Sequence, residues 1–150
     1  MTKMIPTMNG GKPQVMLIDD CSIDNYVNDK MLRFYGFSDN TIVFSSGTKA
    51  LKHINAIGLD ESRWREMPEY IFLDLNMPVM SGHTFMEEFQ KMDERLTART
   101  KVVVLSSSID PLDRLSVLGI PSVIAFLGKP LIKSNLDELT AIIGGYAKAG

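Results

Sequence analysis

Three aspartates, a serine and a lysine stand where side chains could do chemistry together. Asp19 and Asp20 follow the apolar run Val15 to Ile18. Asp74 ends "YIFLD", and Ser106 ends "KVVVLS", with Ser107 and Ser108 behind it. Lys129 follows "VIAFLG". If each run is a strand of one sheet, the five groups meet at one edge. Two carboxylates ~4 Å apart repel by about 4 kcal/mol at an effective dielectric of roughly 20. Lys129 offsets part of that repulsion, and a divalent cation would offset more. The available ligands are hard oxygens with no His or Cys beside them, which favours Mg²⁺ over zinc. Such an ion, held by two or three carboxylates, keeps positions open for water and a phosphoryl oxygen. A carboxylate beside it can act as a nucleophile toward phosphorus and form an acyl phosphate. A lysine and a hydroxyl would then bind the phosphoryl oxygens.

The elements that would position these groups follow from periodicity. "VMLI", "NTIVFSS", "YIFLD", "KVVVLSSS" and "SVIAFLGKP" are short and rich in apolar or β-branched residues, as buried strands are. Helices are expected between them. In "IDNYVNDKMLRFYG" an inward stripe of Ile23, Tyr26, Val27, Lys30, Met31 and Phe34 is expected, with Ser22 or Asp20 as N-cap. In "SGTKALKHINAIG" the stripe is Ala50, Leu51, Ile54 and Ile57. In "GHTFMEEFQKM" it is Phe85, Met86 and Phe89. A short fourth helix is expected over "DPLDRLSVLG", with Pro111 at its first position. The fifth, "SNLDELTAIIGGYAKAG", is capped by Ser134 and broken at Gly144-Gly145. "LDESRWREMPE", Leu59 to Glu69, reads as a surface loop with Trp64 either packed or exposed, and "ERLTART" reads as polar. Five alternating β-α units imply a doubly wound five-stranded parallel sheet with helices on both faces. In such sheets ligands bind outside the carboxyl ends of the strands.

The signatures "LIDD", "LDLNMPVMSG", "VLSSS" and "FLGKP" occur in this order on the five units. Together they resemble a response-regulator receiver domain of the CheY-like, single-domain kind, over about Val15 to Tyr146. The resemblance implies the flavodoxin-like, three-layer (βα)5 sandwich. It makes Asp74 the phosphoacceptor. It makes Asp19 and Asp20 the metal-binding acidic pair, with Asp74 and the backbone carbonyl of Asn76 as further contacts to Mg²⁺. It makes Ser106 the switch hydroxyl, Lys129 its partner at the phosphoryl group, and Phe126 the switch aromatic. It also implies a cis bond between Lys129 and Pro130. Asn76 and Ser108 flank the expected path of attacking water. Two features depart from the family's pattern. The Leu59 to Glu69 connection is longer than is common, and Val117 stands where a small alanine is frequent.

The expected function is therefore that of a two-component response regulator. A histidine kinase or phosphotransfer protein would phosphorylate Asp74. A downstream protein would bind the surface of the fourth helix and fifth strand. Residues 1–13 read as a flexible leader and 14–150 as the receiver domain, with no output domain. Slow hydrolysis of its own acyl phosphate does not make the chain an enzyme. An alternative is a Mg²⁺-dependent phosphatase with an aspartyl-phosphate intermediate, but Asn76 stands where its second acid/base carboxylate belongs and no cap domain is visible. An FMN binder would need a phosphate loop where this chain has "DDCSID". A degenerate receiver would have lost Asp74, Lys129 or the acidic pair.

The bulk numbers fit one globular unit. The 150 residues are 45% hydrophobic and 23% charged, with a net charge of −2. Nothing in that balance advertises nucleic acid or an anionic membrane as partner. A single cysteine, Cys21, excludes a disulfide framework and a cysteine-rich zinc site, and points to the cytoplasm. No transmembrane run is present, and a monomer or weak homodimer is expected.

Overall fold

The structure, a computed structural model, describes residues 11–107 and 110–149, with side chains to 145. Most of the expected leader, and Ser108, lie outside the described residues. Five strands alternate with helices: β1 (Gln14–Ile18), β2 (Asn40–Phe44), β3 (Tyr70–Asp74), β4 (Lys101–Ser106) and β5 (Val123–Gly128). All pair in parallel, in the order β2-β1-β3-β4-β5. The helices are α1 (Ser22–Phe34), α2 (Gly47–Gly58), α3 (Gly82–Gln90), a one-turn α4 (Glu94–Thr97), α5 (Pro111–Leu118) and α6 (Lys133–Ala149).

Alternate residues of each buried strand feed opposite faces, because successive side chains of a strand point in opposite directions. Ile71, Leu73, Val102 and Val104 pack with Ala50, Leu51, Ile54 and Ile57 of α2 and with Phe85, Met86 and Phe89 of α3. Tyr70, Phe72, Val103 and Leu105 pack with Leu32 of α1 and with Leu136, Leu139 and Ile143 of α6. β3 is buried along its whole length, with helices on both sides. The expected stripes of α2 and α3 are thus the observed ones.

The stripe expected on α1 holds at Met31, which is partly buried against the second cluster, but not at most of its other positions. Ile23, Tyr26 and Phe34 are 71%, 65% and 78% exposed, and Lys30 lies over the Tyr26 ring instead of inward. The buried residues are Asn25, Asn28 and Leu32. The inner face of α1 meets strand-end backbone, where polar groups must be paired. Asn25 Nδ2 donates to the Asp19 carbonyl at 2.8 Å, which turns an amide inward at the expense of the more apolar face. Cys21, not Ser22 or Asp20, is the N-cap of α1, without a side-chain bond. At α6 the helix begins before Ser134, and Asn135 Oδ1 accepts from Ile132 N. Nor does α6 break at Gly144-Gly145. An interior glycine costs only about 1 kcal/mol relative to alanine, which the buried face of this helix offsets.

The Leu59 to Glu69 connection is not a plain loop either. It contains a 3-10 helix, Glu61–Glu66, N-capped by Asp60. Trp64 is buried there, donates from Nε1 to the Gly58 carbonyl at 3.2 Å and lies beneath the Arg95 guanidinium. Leu96 of α4, in the stretch expected to be polar, is buried as well. Trp64→Phe keeps most of the packing and removes one hydrogen bond. It is expected to lower stability by about 1 kcal/mol in urea melts. A loss under roughly 0.3 kcal/mol would mean that the bond adds nothing beyond what water provides.

Candidate functional site at the carboxyl ends of the strands

β1 and β3 are neighbours, and their last residues deliver acids to the same edge. Asp19 follows β1 directly and is 3% exposed. Its backbone N–H bonds the Phe44 carbonyl at 3.2 Å, which ties it to the end of β2. Asp74, the last residue of β3, is 4% exposed. Asp20 is exposed at the rim. One carboxylate oxygen from each of Asp19, Asp20 and Asp74 lies within 4.8 Å of the other two, so the three form an acidic pocket that could hold a metal ion.

Lys129 arrives from the opposite side of this pocket. It follows β5, its N–H bonds the Ser106 carbonyl at 3.0 Å, and its peptide bond to Pro130 is cis. Its ammonium lies 2.6 Å from Asp19 Oδ2, 3.1 Å from Asp24 Oδ2 and 3.2 Å from Asp74 Oδ1. Ser106 ends β4, fully buried, in register with Gly128. Asn76 is exposed just after β3, its N–H 3.4 Å from Asp74 Oδ1. Phe126 is half-buried on β5 against the α2–α3 side of the core. The structure thus brings Asp19, Asp20, Asp74 and Lys129 together and sets Ser106 and Asn76 at the same edge. Phe126, two residues before the strand's end, lies behind it.

The electrostatics are those of an under-compensated acidic cluster. Burial pushes the Asp19 carboxyl above its ordinary value, and the Asp74 charge adds to that. The hydrogen bonds from Lys129 and the Cys21 N–H offset only part. Burial opposes the Lys129 charge, but its bonds to Asp19 and Asp24 and the nearby carboxylates outweigh burial, so its pKa is raised. One ammonium is shared among three carboxylates, and Asp20 adds a fourth at the rim. A divalent cation bound by oxygen ligands would complete the balance.

Two features escaped the sequence reading. Asp24, in the first turn of α1, reaches Lys129 although it ends no strand. It is an acid in the first helical turn directly after the pair, and that was the available cue. His83, in the first turn of α3, bonds Ser116 through Nε2 at 2.8 Å. The Ser116 hydroxyl donates to the Asp113 carbonyl, so it must accept from the imidazole. The bond ties the start of α3 to α5. A cavity of about 300 Å³ opens beside Lys129, between α1 and the loops after β4 and β5, with Asn28, Ser107 and Pro130 in its wall.

The comparisons with known proteins point to one family. The chain is 28% identical over 140 residues to the two-component response regulator ARR15 of Arabidopsis thaliana, covering 91% of this chain and 66% of that protein. It is 25% identical over 138 residues to hybrid signal transduction histidine kinase L of Dictyostelium discoideum, covering 91% of this chain but 7% of the kinase. The chain therefore spans less than two thirds of either relative. A two-component response regulator from Cytophaga hutchinsonii superposes with a TM-score of 0.78 at 27% identity, over 89% of this chain and 98% of that one. The model of the response regulator receiver domain matches residues 15–142. A match of that extent, on a five-stranded sheet whose carboxyl edge gathers these acids, places the chain in the response regulator receiver domain family.

Proposed function

We propose that the chain is a phosphoacceptor of a two-component pathway, with Asp74 taking a phosphoryl group from a histidine kinase or phosphotransfer protein. The convergence of Asp19, Asp20 and Asp74 within 4.8 Å, with Lys129 3.2 Å from Asp74, carries this reading. An Asp74 carboxylate oxygen attacks the phosphorus of a donor phosphohistidine. The O–P bond forms as the donor's P–N bond breaks, and the electron pair leaves with the donor imidazole, which takes up a proton. Asp19, Asp20, Asp74 and the Asn76 carbonyl would hold Mg²⁺, which offsets charge on the phosphoryl oxygens. Lys129 and the Ser106 hydroxyl bind those oxygens from the other side. The cavity beside Lys129 gives a donor side chain a way in.

The same reading supplies an output. Ser106 moves toward the phosphoryl group, Phe126 follows, and the surface of α5 and β5 changes shape. Leu112 and Leu115 on α5 are 71% and 69% exposed, an apolar face suited to a protein partner. The receiver unit runs over residues 14–150, behind a leader at 1–13, and acts as a monomer or weak homodimer. Among the described residues no helix is long and apolar enough to cross a membrane. A cytoplasmic setting fits the single cysteine. Turnover is limited to slow hydrolysis of the acyl phosphate, so the role is signalling and not catalysis.

The test is incubation with acetyl phosphate followed by intact mass measurement. The wild type is expected to gain one phosphoryl group with Mg²⁺ and none in EDTA, and Asp74→Asn none in either. A Mg²⁺-dependent adduct that persists in Asp74→Asn would move the acceptor elsewhere. If no adduct accumulates, beryllofluoride binding separates fast hydrolysis from an inert site, and failure to bind would reject the reading.

A further inference from the structure

A second cavity, of about 390 Å³, opens at the amino end of the sheet. Gln14 and Asn40, the first residues of β1 and β2, border it, as does Glu69, just before β3. The acidic pocket stands at the other ends of these strands, about five residues or roughly 16 Å away. Such a volume falls within the usual range of small-molecule sites.

Its lining is cationic. Lys12, Arg65 and Arg99 all face it, against the single carboxylate of Glu69. Arg33, Arg63 and Arg95 each pair with a carboxylate, whereas Lys12, Arg65 and Arg99 form no ion pair among the described residues. Three like charges against one carboxylate leave the cavity net positive, and an anion between them removes the cost of their repulsion. Trp64 and Met67, 8% and 5% exposed, supply an apolar wall. Both belong to the Leu59 to Glu69 connection, and so does Arg65.

We propose that this cavity binds a phosphate-bearing anion of nucleotide size through Lys12, Arg65 and Arg99, at the pole of the sheet opposite the acidic pocket. Phosphate oxygens take the cations, which suit planar, bidentate recognition at the two arginines. Any planar group on the anion lies against Trp64 and Met67. Phosphate alone and a nucleotide share this chemistry, and the test separates them.

Trp64 is the chain's one tryptophan, so its emission reports on the cavity directly. The full chain would be titrated with pyrophosphate, ATP and adenosine in EDTA at low salt. Pyrophosphate or ATP is expected to give a saturable change in emission, and adenosine none. The half-saturation concentration is expected to rise at least tenfold in Arg65→Gln/Arg99→Gln, with its thermal midpoint unchanged, and to rise less in Lys12→Gln. Equal affinity for the two anions supports a site for the phosphate group alone, and tighter ATP supports a nucleotide site. Should the double variant not fold, Lys12→Gln and the salt dependence of the wild-type titration decide. The proposal is overturned by the absence of a saturable change, by the same curve in the arginine and lysine variants, or by a curve that Asp74→Asn displaces tenfold.

Discussion

Lys129→Met is expected to lose about 3 kcal/mol of stability at pH 7 in EDTA. Removing one member of a buried ion pair leaves the other charge without compensation, which typically costs about 3–5 kcal/mol. Here the ammonium is 12% exposed and faces Asp19 and Asp74, whose side chains are 4% and 5% exposed. The lower end of the range applies because Asp24, at 40% exposure, and Asp20 stay in contact with water. The sign of the pH dependence follows. In the wild type the raised pKa of Lys129 means its contribution is fully present below its ordinary value of 10.5 and is lost only as the solution becomes more alkaline than its folded value. Without the ammonium, Asp19 loses the bond that held its raised pKa down. A carboxyl whose folded pKa exceeds its unfolded one binds more protons in the native state, so the variant regains stability as pH falls from 7 toward 5. Saturating Mg²⁺ should recover about half of the loss or more, because a ligand of the native state alone stabilises it. Urea melts at two pH values, with and without Mg²⁺, measure all three effects. A variant as stable as wild type at pH 7 in EDTA would show that Lys129 does not balance the acids.

The strands were legible because each is an apolar run that stops at a polar residue; burial makes such runs continuous at β1, β3 and β4, whereas β2 at the sheet edge is only half-buried. The same pattern located Asp19, Asp74, Ser106 and Lys129 at one edge, since a parallel sheet sends every carboxyl end to the same side. α2 and α3 were legible because their cores are plain hydrocarbon and phenyl at helical spacing. α1 was not, because apolarity is a poor guide where a helix covers strand-end backbone. The Asp19 carbonyl needs a donor, and Asn25 meets it. Trp64 could not be placed from its neighbours in sequence, because what holds it is a carbonyl six residues back and a guanidinium from α4. Asp24 was passed over for a related reason: strand ends were ranked, and a helix's first turn that faces them was not.

Gly82→Ala is expected to cost about 2–3 kcal/mol and to slow phosphorylation of Asp74, although it adds only one methyl group. Gly82 opens α3, its N–H bonds the Leu75 carbonyl at 2.9 Å, and Ser81 caps the helix by accepting from the Thr84 N–H. This short loop folds the chain back onto the end of β3. A Cβ on Gly82 would lie 2.7 Å from the Asp74 carbonyl oxygen and 2.8 Å from the Leu75 Cα. Both neighbours are backbone of a fully buried strand end, so no side-chain rotation relieves the contact. Overpacking of this kind costs about 1–3 kcal/mol, and the upper part applies where backbone must move. Whatever moves carries Asp74 with it, because the clashing oxygen is its own carbonyl. A shift of a few tenths of an ångström at the proposed acceptor would misalign in-line attack. Gly119→Ala is the control, since nothing lies within 4 Å of its would-be Cβ and its φ of −78° suits alanine. It should be neutral or gain about 0.5 kcal/mol by restricting the unfolded chain. Urea melts and acetyl phosphate time courses on the two variants give the comparison. Equal stability and equal phosphorylation rates would mean that the loop between Asp74 and α3 yields without strain, and that close approach is not why glycine stands at position 82.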